Sequence, residues 1–409
     1  MGKIHIGFWA LLGALFISST FGVALADWPQ WRGPNRDGKS LDTGLLKKWP
    51  DGGPPLVWKA DGIGAGFSSA AVADGMVYVT GVKGRDLGIT AFNLEGEKQW
   101  EKPHGPAWTA NYPGSRATPT IDDGKLYLMS GLGHLACYDA KSGERKWAVD
   151  VAKACNAQPP NWGYAESVLI YKDTAIVTPG GMNCIVAFKT ATGKPAWRSK
   201  GLSDPPGYGS CILFEFKDVP MIANLTAKGL VCVDAKKGTF LWREDRCAGK
   251  TAVCPTPVYF DGYVFAASGY GNGGACVQLG GTGKRIKAKQ AWETRDMVCH
   301  HGGYVVVDGY IYGNNENGWA CIELKSGQTK WKEQGVGKGS ICYADGMLYT
   351  YSENGGVIGL VEANPKRFNL VSQFRVQGQD KSWAHPAVTD GRLYLRYGDT
   401  LYVFDVKAK

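Results

Sequence analysis

The amino-acid sequence predicts an all-β fold, an eight-bladed β-propeller built from four-stranded antiparallel blades. Three observations favour this fold. A short phrase recurs along the chain, tryptophans follow one another at the spacing of propeller blades, and the last repeat lacks a strand that the start of the chain can supply. The composition agrees, because 57 glycines and 12% aromatic residues suit many short strands joined by tight turns.

The recurring phrase is HLACYDAKSGERKW, which occupies residues 134–147. Related phrases, LVCVDAKKGTFLW and WACIELKSGQTKW, end at Trp242 and Trp331. In each copy a cysteine stands ten positions before the tryptophan, with lysine and glycine at matched places between them. A phrase that recurs at a fixed internal register usually marks one structural unit stacked on copies of itself.

The tryptophans give the size of the unit. The spacings are 47, 50, 45, 50 and 39 residues along the series Trp100, Trp147, Trp197, Trp242, Trp292 and Trp331. Asp-Gly pairs followed by alternating strands, as in DDGKLYLMSG (122–131), predict β-hairpins within the units. Four strands in about 40–50 residues is the size of a propeller blade. Eight units result, starting near Phe67, Arg116, Glu166, Cys211, Cys254, His301, Lys338 and Trp383.

The two ends of the repeat array complement each other. After His385 the sequence predicts only three strands, and the missing fourth is LVWK at residues 56–59, where Trp58 precedes the next tryptophan by one period. Closing the ring in this way protects strand edges, whereas an open solenoid, the alternative, gives no reason for the match. We predict a single propeller over residues 55–409, preceded by an N-terminal extension over residues 27–54.

Residues 1–26 have the pattern of a cleaved secretory signal peptide. Lys3 precedes an apolar stretch at residues 8–17, and the segment ends in Ala-Leu-Ala. An uncleaved anchor is the alternative, but the stretch is shorter than a bilayer requires. Because Asp27 rather than a cysteine follows, no lipid anchor is expected. We expect a periplasmic or secreted protein, and no later segment has the length to span a membrane.

The net charge limits the partners. It is +9, and the basic residues are spread along the chain without the kind of run that a nucleic-acid-binding arm contains. A solvated basic surface is therefore favoured over polyanion binding. We expect no nucleic-acid partner, and we expect a monomer.

Four units end in variants of one pattern, which in its full form is an alanine, an aspartate two positions later, Thr-Gly, and then tryptophan. It occurs as CYDAKSGERKW, AFKTATGKPAW, CVDAKKGTFLW and CIELKSGQTKW. On these residues the chain resembles the pyrroloquinoline-quinone-type (PQQ-like) propellers, the fold of quinoprotein alcohol dehydrogenases and of the barrel-assembly protein BamB. The resemblance implies that each tryptophan packs between blades and keeps one N–H to bond a neighbouring backbone group. The residues in this role are Trp58, Trp100, Trp147, Trp197, Trp242, Trp292 and Trp331.

Other segments refine the resemblance. DWPQWRGPNRDG (27–38), NWGYAES (161–167), HHGGYVVVDG (300–309) and WAHPAV (383–388) resemble a BamB-like exported bacterial subfamily whose activity is not established. The resemblance covers nearly the whole mature chain, and it implies a fold rather than a function.

The chain departs from the quinone-binding members of this family. Those proteins carry vicinal cysteines above the cofactor, whereas no Cys-Cys pair occurs in this sequence. The Glu, Asn and Asp set that would hold calcium is not recognisable, and no C-x-x-C-H haem motif occurs. We therefore expect no cofactor and favour a non-catalytic binding or scaffold module of the cell envelope, with a protein or glycan partner at one propeller face. The alternative is a quinoprotein-type oxidoreductase that binds PQQ and calcium.

Eleven cysteines in an exported protein suggest disulfides. One set stands where the repeat usually has alanine, a second set opens the next unit, Cys184 and Cys211 form a looser couple, and Cys247 is left over. The two sets are Cys137, Cys232, Cys276 and Cys321, and Cys155, Cys254, Cys299 and Cys342. Bridges between the sets would tie one blade to the next, and the alternative is that small thiols simply replace alanine. Metal binding by these cysteines is not expected, because no C-x₂-C spacing occurs.

The opening residues of the units are expected to ring one mouth of the central channel, because the first strand of a propeller blade lines that channel. The candidates for binding at this mouth are Arg116, Glu166, His301, Lys338, Trp383 and His385. In the quinoprotein alternative, Glu166 would be the carboxylate. Arg116 or Lys338 would face the quinone, and Trp383 would be its stacking surface.

Neither a catalytic residue nor a metal site can be assigned from the sequence. His300 and His301 are adjacent, and on a strand they would face opposite ways, so that they could not ligate one metal together. His301 and His385 could converge across the mouth, although ordinary hydrogen-bonded histidines are the favoured interpretation.

Overall fold

The computed structural model describes Gly2 and residues 27–409. The predicted signal peptide, residues 1–26, lies outside the described residues apart from Gly2. In the described part of the chain, no helix is long and apolar enough to cross a membrane.

The predicted eight-bladed propeller is confirmed. In the described residues, 32 strands form eight four-stranded antiparallel sheets. The strands are β1 (Leu56–Ala60), β2 (Ala71–Ala73), β3 (Met76–Lys83), β4 (Asp86–Asn93), β5 (Lys98–Pro106), β6 (Thr120–Asp122), β7 (Lys125–Met129), β8 (His134–Asp139), β9 (Arg145–Asp150), β10 (Leu169–Tyr171), β11 (Thr174–Val177), β12 (Val186–Lys189), β13 (Pro195–Arg198), β14 (Ile212–Phe216), β15 (Val219–Leu225), β16 (Leu230–Asp234), β17 (Phe240–Glu244), β18 (Val258–Phe260), β19 (Tyr263–Ser268), β20 (Gly273–Gly280), β21 (Lys287–Thr294), β22 (Tyr304–Val307), β23 (Tyr310–Asn315), β24 (Gly318–Glu323), β25 (Thr329–Glu333), β26 (Gly339–Ala344), β27 (Met347–Ser352), β28 (Val357–Glu362), β29 (Leu370–Arg375), β30 (Ala387–Thr389), β31 (Arg392–Tyr397) and β32 (Thr400–Asp405).

Blades 1 to 7 each use four consecutive strands, starting with β2–β5 as blade 1 and ending with β26–β29 as blade 7. Blade 8 combines β30, β31 and β32 with β1 from the start of the described chain. β1 pairs with β32, with Leu56 opposite Phe404 and Ala60 opposite Leu401. The predicted closure of the ring is therefore confirmed. Within residues 27–409, helical structure is limited to α1 (Val151–Cys155) and two 3₁₀ turns at Gly181–Asn183 and Gly283–Arg285.

Asp-Gly turns join the first and second strands of six blades, as the sequence predicts. In all six, the aspartate has a φ of 48 to 52° and the glycine a φ of 65 to 81°. Two successive residues at positive φ are typical of the type I′ turn, whose twist matches that of the strands it joins. Each turn thus sets the register of the two strands nearest the channel.

The predicted docking tryptophans lie in the outermost strands and reach toward the next blade. The indole N–H of Trp100 donates to the Ala140 carbonyl at 3.2 Å, and a Cβ on Gly143 would approach the same indole within 2.8 Å. The same indole-on-glycine contact occurs in four other pairs: Trp58 with Gly96, Trp147 with Gly193, Trp197 with Gly238, and Trp292 with Gly327. The glycine of the repeat therefore provides the flat surface on which the preceding blade's tryptophan lies.

Two of the seven predicted tryptophans lack this glycine contact. Trp331 lies against the β28–β29 connection, which contains no glycine, although its indole N–H still donates to the Asn364 carbonyl at 2.9 Å. The other is Trp242. Blade 5 connects β20 to β21 through Gly283–Arg285 instead of the tight turn of the repeat. Trp242, which comes from blade 4, is buried, but its indole nitrogen has no hydrogen-bond partner.

Residues 27–40, within the predicted N-terminal extension, form a finger inside the channel. They contact every blade, through Val72, Ile121, Val168, Cys211, Thr256, Tyr304, Tyr343 and His385 in blade order. Trp31 lies near the tip, where its indole N–H donates to Thr256 Oγ1 and its ring packs 4.5 Å from that of His385. The finger therefore fills the interior of the channel.

Two arginines of the finger are almost fully buried. Arg32 and Arg36 are each 2% exposed. The Arg36 guanidinium donates to the carbonyls of Ser167, Val168 and Cys211 at 2.7 to 3.0 Å. Burial lowers the pKa of Arg36 to about 10, so it remains charged at neutral pH. These arginines satisfy backbone carbonyls at or just before the starts of first strands, which would otherwise be buried in the channel without a partner.

The predicted disulfides are absent. All eleven cysteines lie in the described residues, and all are free thiols. The first set lies on third strands, each cysteine directly opposite a docking tryptophan, as Cys137 is opposite Trp147. In the second set, Cys342 lies on a first strand and Cys254 and Cys299 lie in the loops before first strands, at the channel end of the next blade. Cys299 exchanges hydrogen bonds with Gly303 instead of bonding to a second sulfur.

Candidate functional site

The channel mouth opposite the Asp-Gly turns contains a cavity of about 230 Å³. Trp31 of the finger forms part of its lining, and most of the remaining lining comes from the loops that lead into the blades. Seven aromatic side chains line the cavity: Trp31, Phe67, Tyr112, Trp162, Tyr208, Tyr270 and Trp383. Apolar and aromatic walls with a few polar groups are typical of small-molecule sites.

Two tyrosines at the rim are exposed and have unusual backbone geometry. Tyr112 is 54% exposed with a φ of 51°, and Tyr270 is 59% exposed with a φ of 58°. The Tyr112 ring packs 5.4 Å from Trp383, and the Tyr270 ring packs edge-on to His300 at 4.9 Å. Left-handed φ values at bulky residues cost free energy and cluster at functional sites.

Arg116 is the one predicted cation that lines the cavity. Its guanidinium donates to the carbonyls of Gly114, Asn111 and Tyr112 at 2.6 to 3.1 Å and lies 6.0 Å from the Trp108 ring. Burial lowers the pKa of Arg116 to about 10, so the side chain remains charged. The same hydrogen bonds hold the strained loop that carries Tyr112.

A charged network supports the opposite wall. The Glu353 carboxylate accepts from His301 Nε2 at 2.7 Å and from Trp383 Nε1 at 3.1 Å, and it lies 3.4 Å from Lys338 Nζ. Its pKa is about 2: burial raises it, and the stronger lowering comes from His301, Lys338 and Trp383. The sequence did not indicate Glu353, because it lies at the far end of a second strand, outside the unit-opening residues.

The two adjacent histidines do not lie on a strand. His300 and His301 belong to the loop before β22, and both line the cavity, so the expectation that they face opposite sides of a strand is wrong. His300 Nδ1 accepts from Lys338 Nζ at 2.9 Å, and burial, with the neighbouring charges, lowers the pKa of His300 to about 3. Burial also lowers the pKa of His301 and of His385. All three rings are therefore neutral at pH 7.

Four of the six predicted mouth residues come together at the cavity: Arg116, His301, Trp383 and His385. His385 Nε2 donates to the His301 carbonyl at 3.0 Å, so these two residues meet as the sequence suggested. Lys338 lies behind the wall, bonded to His300. Glu166 does not line the cavity.

Glu166 is buried beside the finger. Its carboxylate accepts from Thr178 N at 2.5 Å, Thr178 Oγ1 at 3.0 Å and Cys211 N at 3.3 Å. Burial raises the pKa of Glu166 to about 7, although these hydrogen bonds oppose the shift. Glu166 therefore cannot be the cation ligand that the quinoprotein alternative assigned to it.

The residues of the mouth do not fit a PQQ–calcium pair. Within the described residues, no group of three or more His, Cys, Asp or Glu side chains is arranged to hold a metal ion. Glu353 is bonded to His301 and Trp383 and paired with Lys338, and Glu166 does not line the cavity. The cavity of about 230 Å³ is also smaller than the roughly 300–1,000 Å³ of ordinary ligand pockets.

The sequence missed most of the aromatic lining. Tyr112, Trp162 and Tyr208 belong to loops that join successive blades, Tyr270 belongs to the turn between β19 and β20, and Trp31 belongs to the extension. One local signal was available, since WPQWRGP, NWGY and SGYGNGG combine aromatic residues with turn residues where no strand pattern needs them.

Comparisons with known proteins bear on the fold. The family model described as outer membrane protein assembly factor BamB matches residues 89–333. The crystal structure of BamB from Moraxella catarrhalis is 14% identical, with a TM-score of 0.63 over 87% of this chain and 98% of that one. The quinohemoprotein alcohol dehydrogenase from Comamonas testosteroni is 13% identical, with a TM-score of 0.67 over 94% of this chain and 81% of that one.

A europium-containing methanol dehydrogenase is 11% identical, with a TM-score of 0.58 over 93% of this chain and 98% of that one. The search of curated proteins found no match. At these identities the structural neighbours show the PQQ-like propeller fold, which both binding proteins and dehydrogenases share.

Proposed function

We propose, from the premise that this chain belongs to the BamB family of PQQ-like propellers, that it is a non-catalytic binding module of the cell envelope. In this proposal, part of the partner molecule binds inside the mouth cavity. The observation that carries the proposal is an aromatic cavity with a charged arginine and no metal-holding cluster among the described residues.

The lining suits binding better than catalysis. Trp31, Trp383 and the tyrosines offer flat apolar surfaces, whereas the ionisable groups of the opposite wall neutralise one another. A general acid or base needs a pKa near the working pH and access to the ligand. Glu353, with a pKa of about 2, and His300, with a pKa of about 3, lack the first property.

The second candidate is the quinoprotein-type oxidoreductase. One observation favours it: Trp383 and the other rings could stack on a planar cofactor. It predicts that PQQ with calcium gives a saturable change in the absorbance spectrum and a higher melting temperature. We expect no such change, and a saturable one would contradict the binding-module proposal.

A cavity-filling variant tests the role of the mouth. Ala165 lines the cavity, so Ala165→Trp should fill it without removing a charge. We expect wild-type protein to co-sediment with isolated cell-envelope material and Ala165→Trp to lose most of that binding.

The matched control is Ala408→Trp, at an exposed alanine near the end of the chain, and it should bind like wild type. Equal binding by all three proteins would show that the mouth cavity is not the site at which the partner binds. The envelope location is tested separately, by fractionating cells that produce the full-length chain and locating it by immunoblot.

A further inference from the structure

The mouth cavity contains a cation that lacks an anion. A guanidinium has five N–H donors, and Arg116 uses three hydrogen bonds, all to uncharged carbonyls. Among the described residues, no carboxylate contacts Arg116. The carboxylate of Glu353 is already paired with Lys338. Nε–H and one Nη1–H of Arg116 remain unused, and a carboxylate can accept a charge-assisted hydrogen bond from either of them.

The aromatic walls of the cavity favour a ligand that contains one six-membered ring. Trp383 packs 4.7 Å from Phe67 and 5.4 Å from Tyr112, so that three rings form one continuous face. Tyr270 and His300 stand at the opposite side of the opening. A volume of about 230 Å³ suits one six-membered ring better than a fused tricyclic system. The C–H faces of a sugar ring can pack on the electron-rich faces of aromatic rings.

The imidazole of His300 favours a ligand with hydroxyl groups. His300 Nδ1 accepts from Lys338, which leaves its Nε2–H as a donor at the cavity. A hydroxyl oxygen of a sugar can accept from this donor while a carboxylate on the same ring binds Arg116, whereas an aromatic acid without hydroxyls can satisfy only Arg116. His301 Nε2 donates to ionised Glu353, and its Nδ1 is buried in the wall, so His301 offers no hydrogen bond to the ligand.

We propose that the mouth cavity recognises a uronic acid, that is, the carboxylated sugar ring of an acidic glycan. Its carboxylate binds Arg116, one ring face packs on Trp383, and one of its hydroxyls accepts a hydrogen bond from His300 Nε2. This inference rests on the proposed function and adds the chemical class of the ligand. Of the two partner classes that the sequence left open, a protein or a glycan, this inference selects an acidic glycan.

Two disaccharides that differ by one carboxylate test the proposal on the wild-type protein. We would titrate the full chain with glucuronosyl-(β1→4)-glucose and with cellobiose, following heat of binding and tryptophan fluorescence. We expect the acidic sugar to bind at least tenfold more tightly, because a site built to pair a charged group rejects the analogue that lacks it. Benzoate serves as a carboxylate without hydroxyls and should bind at least tenfold more weakly than the acidic sugar.

Variants assign the effect to Arg116. Arg116→Met should remove the preference for the acidic sugar, and Arg116→Lys should keep only part of it, because lysine retains the charge but cannot reproduce the position of the unused guanidinium N–H groups. Arg367→Met, at an exposed arginine of the β28–β29 connection, is the matched control and should bind like wild type. Thermal melting of each variant shows whether the fold survives.

Several outcomes would overturn the uronic acid proposal. Equal affinity for the two disaccharides would remove the carboxylate from recognition, and binding of benzoate in preference to both sugars would remove the sugar ring. If neither sugar binds, the ligand class is wrong. The envelope-binding role would then still stand or fall with Ala165→Trp, so the two failures are distinguishable.

Discussion

The outer part of the propeller and its central channel are held together in different ways. Between blades, an indole lies on a glycine and bonds one carbonyl, and nearly the same contact is repeated around the ring. In the channel, each contact of the finger occurs once, and buried arginines satisfy backbone carbonyls at or just before the starts of first strands. The outer ring is therefore stabilised by one packing arrangement that is repeated at several junctions. The channel is stabilised by hydrogen bonds that differ from one side chain of the finger to the next.

The largest loss of stability is expected when the hydrogen bonds between the finger and the blades are removed. Arg36→Met leaves the carbonyls of Ser167, Val168 and Cys211 without their donor, and hydrogen bonds to charged groups contribute about 1.5–3 kcal/mol each. Since removing the buried charge recovers part of this loss, we expect the free energy of unfolding to fall by at least about 3 kcal/mol. Urea denaturation followed by tryptophan fluorescence measures it.

The control for Arg36→Met is the same substitution at the exposed Arg367, which should change stability by less than about 0.5 kcal/mol. If Arg36→Met is as stable as this control, the finger does not hold the blades together.

Lowering the pH should decrease the stability contributed by a histidine of the outer ring and increase the stability contributed by a glutamate of the channel. The histidine is His104. His104 lies in β5, its Nε2 donates to the His134 carbonyl at 2.9 Å, and Tyr138 Oη donates to its Nδ1 at 3.0 Å. Burial lowers the pKa of His104 from about 6.5 to about 4, so the neutral ring contributes stability above pH 6.5 that is lost as the pH falls toward 4. The loss is at most about 1.4 kcal/mol per pH unit.

The measurement for His104 is the difference in unfolding free energy between wild type and His104→Gln across this range. That difference should shrink as the pH falls, because only the wild type loses stability through this ring. A difference that does not depend on pH would mean that water reaches this junction.

In the channel, Glu166 should make stability depend on pH in the opposite direction. Burial raises its pKa from 4.5 to about 7, so the folded state holds a proton that the unfolded state releases. Its contribution to stability is complete below pH 4.5 and is lost as the pH rises through 7. Relative to Glu166→Gln, the wild type should therefore become less stable from pH 4.5 to 7, again by at most about 1.4 kcal/mol per unit. A wild type that gains stability over this interval would show that the hydrogen bonds from Thr178 and Cys211 outweigh burial.

The same contrast explains what the sequence could predict. Contacts that recur leave a recurring pattern, so the eight blades, the Asp-Gly turns and the closure by residues 56–59 were all readable before the structure. The channel leaves no such pattern. Arginines are usually exposed, so nothing in WPQWRGPNRDG indicated that Arg32 and Arg36 would be 2% exposed at the centre of the ring.

The mouth could be predicted only in part, for a related reason. Arg116, His301, Trp383 and His385 follow from the rule that unit openings surround the channel. Glu166 obeys the same rule but turns into the blade, because Thr178 and Cys211 offer it donors there. Glu353 and Tyr270 come from turns after second strands, whose approach to the mouth depends on loop conformation. The disulfide expectation was wrong because spacing along the chain does not report which strands separate two thiols.

The smallest effect compares two junctions within the outer ring. Trp100→Phe keeps an aromatic ring against Gly143 but removes the N–H that bonds Ala140, which should cost about 1 kcal/mol more than the lost area alone. Trp242→Phe should not lose this extra stability of about 1 kcal/mol, because the Trp242 N–H has no hydrogen-bond partner in the structure. Its removal also eliminates a buried donor that is unsatisfied. Unfolding free energies of the two variants, measured side by side in urea, should therefore differ by about 1 kcal/mol, with Trp242→Phe the more stable. Equal losses would mean that the indole N–H contributes nothing at a regular junction, and that the tryptophans hold the blades by contact area alone.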